Sequence, residues 1–258
     1  MLSVTVGAPS SFALLENQDD QRMLVENKIT TADRITIVDG AGVNGDAFTA
    51  LPLPMASKAK SSLRVAVVAR MLWSKGVDLA VKALQIAREQ NPDITLTLVG
   101  APDPLNPHAI PEETLKQWAA LPGVEWVGYQ EDVRQVWAEH DVAMLLSRGG
   151  EGLPRSLIEA AACGRPIVTT NVPGCKEIVV DGKTGRLITH IDSRDIAAAL
   201  LDLANHNRDD LAVMAQASRE HFEARFTEAA VTNRVVDLYR KAFDWALKAK
   251  RLSTLEAT

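Results

Sequence analysis

Arg70 and Lys75 stand five residues apart, and glycine follows at Gly76. They come after the β-branched run at 63–69 and before a helical pattern, so they fall where a strand gives way to a helix. In open α/β sheets ligands bind beyond the carboxyl ends of the strands. Two cations there, next to the partial positive charge of a helix N-terminus, form a clamp for a diphosphate. The same pair reads equally well as solvated loop cations. A second stretch, Ser147-Arg148-Gly149-Gly150-Glu151-Gly152-Leu153-Pro154, also joins an apolar run to a helical pattern. Glycine lets a backbone approach a ligand and aim amide N–H groups at it, so Gly150, Gly152 and Leu153 are candidates for holding an anion or a sugar. Pro154 suits a first helical turn, where its missing N–H costs no partner. The alternative is a tight strand-to-helix turn with no ligand.

Glu151 and Glu159 lie eight residues apart. That spacing alone carries little; the position after a glycine loop is what gives it weight. An ionised Glu159 presents two acceptor oxygens, which suits a vicinal diol. A further turn, Val172-Pro173-Gly174-Cys175-Lys176-Glu177, follows the next apolar run and reads either as a ligand contact or as a Pro-Gly turn with solvated charges.

Positioning these residues requires a repeating scaffold. From Leu63 onward short apolar runs alternate with helical patterns, the signature of parallel strands joined by helical crossovers. Strands are expected near 63–69, 94–99, 124–127, 141–146, 166–170 and 185–188. Their near-continuous hydrophobicity implies burial on both faces. The expected fold class is therefore α/β, a Rossmann-like parallel sheet of about six strands with helices on both faces. Val77, Ala80, Val81, Leu84 and Ala87 follow helical spacing within 76–90, and 112–120, 131–139 and 153–163 behave likewise. Beyond 190 the pattern is helical throughout, at 192–206, 208–224 and 228–250. The last segment carries a stripe of Val235, Leu238, Tyr239, Phe243 and Ala246 that should dock on a partner. Residues 1–60 hold a strand pattern, a polar helix near 18–28, a strand near 35–38 and a linker rich in Pro and Lys, too little for an independent core.

Composition narrows the function. The 258 residues are 47% hydrophobic with a net charge of −5, which supplies a core but no electrostatic footprint for nucleic acid. The two cysteines, Cys163 and Cys175, form no CxxC pair; one reads as a buried apolar residue and the other as a loop thiol. The five histidines are scattered without metal-ligand spacing, so no metal site is expected. No apolar run approaches the roughly 18 residues of a membrane span, and the start lacks the charged and apolar regions of a signal peptide. A soluble, cytoplasmic chain is expected. Gly40, Gly42 and Gly45 satisfy GxGxxG, yet the sequence then runs into Pro52 and Pro54 where a dinucleotide fold needs a long helix. A nicotinamide-dependent oxidoreductase rests on that motif alone.

The composite resembles the C-terminal domain of the family 4 (group 1) retaining glycosyltransferases of GT-B architecture. The resemblance runs over about 61–225 and rests on Ala69-Arg70 with Lys75-Gly76, Gly128 with Asp132-Val133, Glu151-Gly152-Leu153-Pro154 with Glu159-Ala160, Gly164-Arg165-Pro166, Pro173-Gly174 with Glu177, and Asp181-Gly182 with Gly185. It implies a nucleoside-diphosphate sugar as donor substrate and no cofactor. By this resemblance Arg70 and Lys75 bind the donor diphosphate, and Glu159 takes the ribose hydroxyls. Glu151 with the backbone of residues 150–153 holds the transferred sugar, and Tyr129 lies near the base. It further implies transfer of a hexose-type sugar with retention to a saccharide or lipid-linked acceptor, in bacterial surface polysaccharide or lipopolysaccharide synthesis. The family's N-terminal acceptor domain is not matched within 1–60, which are expected to be its remnant with a hinge. Residues 61–225 would be the donor-binding domain, and 226–258 a helix packing across the domain interface. Peripheral contact with the inner membrane would come through the acceptor domain, and exposed apolar faces would favour self-association. A noncatalytic nucleotide-sugar-binding module is the alternative from another class.

Overall fold

The computed structural model describes residues 7–8, 11–55 and 62–255, with side chains described as far as Lys248. Part of the expected Pro- and Lys-bearing linker, at 56–61, lies outside the described residues. The chain divides into two compact units, Met1–Gly42 with Arg225–Thr258, and Val43–Ala224.

In the smaller unit, strands β1 (Ala13–Leu15) and β2 (Ile35–Ile37) pair in parallel around helix α1 (Gln18–Glu26). Ala13, Leu24 and Ile35 make its small core. Asn17 caps α1 by accepting from the amide of Asp20, a standard way of satisfying the first-turn donors.

The larger unit is built on β3 (Leu63–Val68), β4 (Ile94–Val99), β5 (Val124–Gly128), β6 (Val142–Leu145), β7 (Ile167–Thr170) and β8 (Gly185–Ile188). The six strands run parallel in the order β5-β4-β3-β6-β7-β8. Helices alternate with them: α2 (Val77–Arg88), α3 (Glu112–Ala119), α4 (Val133–Glu139), α5 (Arg155–Ala162), α6 (Ser193–Asn205) and α7 (Arg208–Arg225). Val65 and Val67 of β3, Leu96 of β4 and Met144 of β6 join Leu84 of α2 and Leu200 of α6 in one buried cluster. Helix α4 packs on β3, and α5 on β6 and β7. Every residue of β6 and β7 is buried, as a sheet covered on both faces requires.

Chain order reverses at β3. The chain builds outward through β4 and β5, then returns to lay β6 on the other side of β3. Crossover connections therefore leave β3 and β6 in opposite lateral directions, and a crevice opens beyond their carboxyl ends.

Arginines hold the segment entering the sheet. Leu51 donates its amide to the Cys163 carbonyl, and Arg165 gives 2.8 Å bonds to the carbonyls of Leu51 and Pro52. Arg219 reaches the Phe48 carbonyl at 2.6 Å, Arg64 the Met55 carbonyl at 3.0 Å, and Arg208 the Pro54 carbonyl. Asp141, fully buried, binds both Arg64 (3.0 Å) and Arg208 (2.7 Å). These bonds are why residues 43–55 group with the sheet, whereas the sequence suggests a division near 60.

The last helix, α8 (Glu228–Leu255), belongs to the smaller unit and contacts β2. There Asp39, 2% exposed, pairs with Arg225 at 2.6 Å and with Arg234. The apolar stripe expected to dock divides in two. Val235 and Leu238 are half-buried and continue through Ala242 to Trp245, whose ring meets Phe12 edge-on at 6.1 Å. Tyr239, Phe243 and Ala246 are exposed. At 3.6 residues per turn Tyr239 and Phe243 lie on a second line with Val236, turned away from the first.

Candidate active site

The segment 69–76 leaves β3 and enters α2 through a 3-10 turn at Trp73–Lys75. It turns at Gly76, whose φ of +67° and place 2.1 Å from the Leu146 carbonyl, measured to an added Cβ, admit no side chain. That contact locks the Lys75 loop to the end of β6. Arg148 fastens it again, with bonds of 2.9 and 2.7 Å to both carboxylate oxygens of Asp78 and a further bond to the Trp73 carbonyl.

A cavity of ≈ 550 Å³ opens at the reversal point. Its walls include Val68, Val99 and Leu145 from the ends of β3, β4 and β6. Arg70, Lys75 and Tyr129 line it directly. So do four residues the sequence did not single out: Asp103, Gln130, Arg155 and Ser156. Glu159 and residues 150–153 are not in its wall; Glu151 reaches it through Lys75, and Glu159 through Arg155.

Each cation of the cavity faces a carboxylate. Lys75 Nζ lies 2.6 Å from both oxygens of Glu151, which also accepts from Ser147 Oγ at 2.7 Å. Arg70 Nη1 meets Asp103 at 2.9 Å, and Arg155 Nε meets Glu159 at 2.8 Å. The pairs differ in exposure. Lys75 and Glu151 are 18% and 10% exposed, whereas Arg70 and Arg155 are 62% and 65%. Burial pushes the Glu159 carboxyl above its ordinary range, against the lowering pull of Arg155.

The glycine loop lies alongside. Gly149 and Gly150 take positive φ, and a Cβ on either would meet nothing within 4 Å, so their backbone faces open space. The next turn braces the far end: a Cβ on Gly174 (φ +87°) would stand 1.6 Å from the Gly152 carbonyl, and Glu177 accepts from the Gly174 amide at 2.7 Å. The Pro173-Gly174 turn thus supports the loop. Pro154 is the residue before α5 and not within its first turn.

Among the described residues no group of three or more His, Cys, Asp or Glu could hold a metal ion. Cys175 is buried, not a loop thiol, and burial pushes it up to about 12; Cys163 is likewise buried and pushed up to about 11. The GxGxxG glycines precede turns and not a helix. A larger cavity, ≈ 660 Å³, lies on the flank of β4 and β5. Its histidine, His140, is satisfied by the Val136 carbonyl (2.7 Å) and the Thr97 hydroxyl (2.8 Å).

The family described as glycosyl transferases group 1 matches residues 62–206, which span the sheet and the cavity. The chain belongs to this family. The glycosyltransferase relatives include the putative colanic acid biosynthesis glycosyltransferase WcaL of Escherichia coli, 29% identical over 78% of this chain and 50% of its own length. The amylovoran biosynthesis glycosyltransferase AmsK of Erwinia amylovora is 28% identical over 69% of this chain and 45% of its own. The chain thus spans about half the length of these curated relatives. Among solved structures, Anabaena Alr3699/HepE in complex with UDP superposes with a TM-score of 0.72 at 20% identity, over 89% of this chain and 64% of that one. The fold is the Rossmann-like half of a GT-B glycosyltransferase, with a parallel six-stranded sheet. No helix among the described residues is long and apolar enough to cross a membrane.

Arg155 and Asp103 were missed for different reasons. The Arg155–Glu159 pair has i, i+4 spacing and was legible as a helix-surface ion pair. Asp103 comes to Arg70 only through the pairing of β3 with β4, which local spacing does not disclose.

Proposed function

We propose that this chain is the donor-binding half of a retaining glycosyltransferase, which takes a hexose-type sugar from a nucleoside diphosphate and passes it to a saccharide or lipid-linked acceptor. The observation that carries this reading is the cavity at the chain-order reversal, with Arg70, Lys75 and Tyr129 in its wall. Support comes from the family match, and from a neighbour of the same fold whose crystal structure holds UDP. The colanic acid and amylovoran biosynthesis relatives WcaL and AmsK favour exopolysaccharide synthesis as the setting.

In this reading Arg70 and Lys75 neutralise the diphosphate as it departs, and Glu159 accepts from the ribose hydroxyls. Tyr129 lies beside the base, while Glu151 and the backbone at 150–153 hold the sugar. The protein's contribution to transfer is charge stabilisation and positioning, with the donor phosphate helping to deprotonate the acceptor on the same face of the sugar. No metal or cofactor is assigned a role. Acceptor contacts come from outside the donor half, so the chain binds more than it catalyses.

A thermal-shift series with UDP, GDP, ADP and their sugar conjugates tests this. Saturable stabilisation by at least one nucleoside diphosphate is expected. No stabilisation by any of them overturns the reading.

A further inference from the structure

We propose that Arg155 is a positioning residue that holds the Glu159 carboxylate ionised and oriented for a ribose diol. The inference rests on the donor-binding reading above and adds a residue to it.

Arg155 opens α5 at the cavity wall, and Glu159 lies one turn further along the same helix, where i and i+4 side chains meet. The Arg155 Nε bond to Glu159 Oε1, at 2.8 Å, engages one carboxylate oxygen and leaves the second for a hydroxyl donor. The two partners sit in different surroundings: Arg155 is 65% exposed at the cavity, while Glu159 is 12% exposed behind it. A carboxylate so enclosed is drawn toward its neutral form, and a neutral acid accepts poorly from a diol. Arg155 opposes that drift.

Other ionisable groups near the end of α5 are already committed. Cys163 is neutral because burial pushes its thiol up to about 11. Arg134 on α4 is paired with Asp132, and Arg219 on α7 with Glu223. Arg155 is thus the cation bonded to Glu159 among the described residues.

The test is calorimetric affinity for UDP and GDP, each beside its 2′,3′-dideoxy counterpart, from pH 5 to pH 8. The wild type should prefer the ribonucleotide about 10-fold, the scale of one hydrogen bond to a charged group. Glu159→Gln should erase that preference at every pH. Arg155→Ala should lose it first at the acid end, with the midpoint of the loss moved to higher pH, because the carboxyl without its cation protonates sooner. Arg155→Lys should restore part of it. A wild-type preference and pH profile in Arg155→Ala, with the preference gone in Glu159→Gln, overturns the positioning role and leaves the ribose reading standing. An equal loss for ribo and dideoxy ligands in Arg155→Ala also overturns it, since it marks a direct phosphate contact. Preference retained in Glu159→Gln overturns the ribose reading and the positioning role together.

Discussion

Two groups of cations occupy the sheet unit, and they contrast in what they hold. At the carboxyl ends of the strands Arg70, Lys75 and Arg155 meet carboxylates around an open cavity, and two of the three are more than 60% exposed. Along the entering segment Arg64, Arg165, Arg208 and Arg219 each bond a backbone carbonyl, Arg64 and Arg208 also the buried Asp141, and Arg219 also Glu223. A carbonyl is a permanent neighbour, and a guanidinium bonded to it contributes stability without remaining available. The carboxylate facing an exposed guanidinium is an exchangeable partner: an exposed pair such as Arg70–Asp103 is worth about 0.2–1 kcal/mol, so a phosphate can replace it at small cost, whereas the more enclosed Lys75–Glu151 pair exchanges at a higher one. The same residue types thus fix the chain in one place and stay free for a ligand in the other.

The largest effect that would break this contrast is expected at Asp141. Its Asn variant loses bonds to Arg64 and Arg208 and should cost about 3 kcal/mol of stability in chemical denaturation. Burial raises its carboxyl, but bonds from Arg64 and Arg208 outweigh that and hold it below the ordinary range. The sign follows: the stability it contributes is present above the unfolded carboxyl value of about 4 and is lost as pH falls further toward its folded value. The wild type should therefore lose stability below that pH by a margin the Asn variant does not show. Equal acid sensitivity in both would place the structural anchor elsewhere.

At the cavity the consequences should invert. Arg70→Ala and Lys75→Ala are each expected to weaken a nucleoside diphosphate about 10- to 100-fold by calorimetry, the range for hydrogen bonds to charged groups, with little change in melting for the exposed Arg70 and a smaller loss than that of Asp141→Asn for the more enclosed Lys75. Loss of stability comparable to Asp141→Asn would erase the distinction between the two groups. The smallest effect sharpens it. Asp103→Asn removes a competitor for Arg70 and should tighten binding by less than about 5-fold, given the worth of an exposed pair. Weaker binding would mean that Asp103 orients Arg70 for the ligand.

Much of the scaffold was legible in sequence because its signals are local. Each of the six expected strands appears, and α2 through α7 fall where apolar residues recur at helical spacing. The Arg70 and Lys75 pair was legible as a position, at a strand's end beside a helix. What local pattern does not carry is which strands become neighbours. The reversal at β3 makes the crevice, and it depends on β6 returning to β3 over a long stretch of chain, since Val65 pairs with Val142 and Ala66 with Ala143. The carbonyl-bonded arginines were invisible for the same reason: Arg208 and Pro54 are 154 residues apart. The α8 stripe is a different case. A list of apolar residues that spans more than one helical line predicts one face, and the structure separates Leu238 from Tyr239.

The central claim is that the cations at the strand ends form a diphosphate site while those along the entering segment do not. Titration calorimetry of UDP and GDP against the wild type, the Arg70→Ala/Lys75→Ala double variant and Arg64→Ala tests it most directly. The account predicts one saturable site in the wild type, its disappearance in the double variant, and an affinity within about 2-fold of wild type for Arg64→Ala once folding is confirmed, because Arg64 does not line the cavity and acts on stability through Asp141. Retained binding in the double variant, or its loss in Arg64→Ala while the protein stays folded, would contradict it.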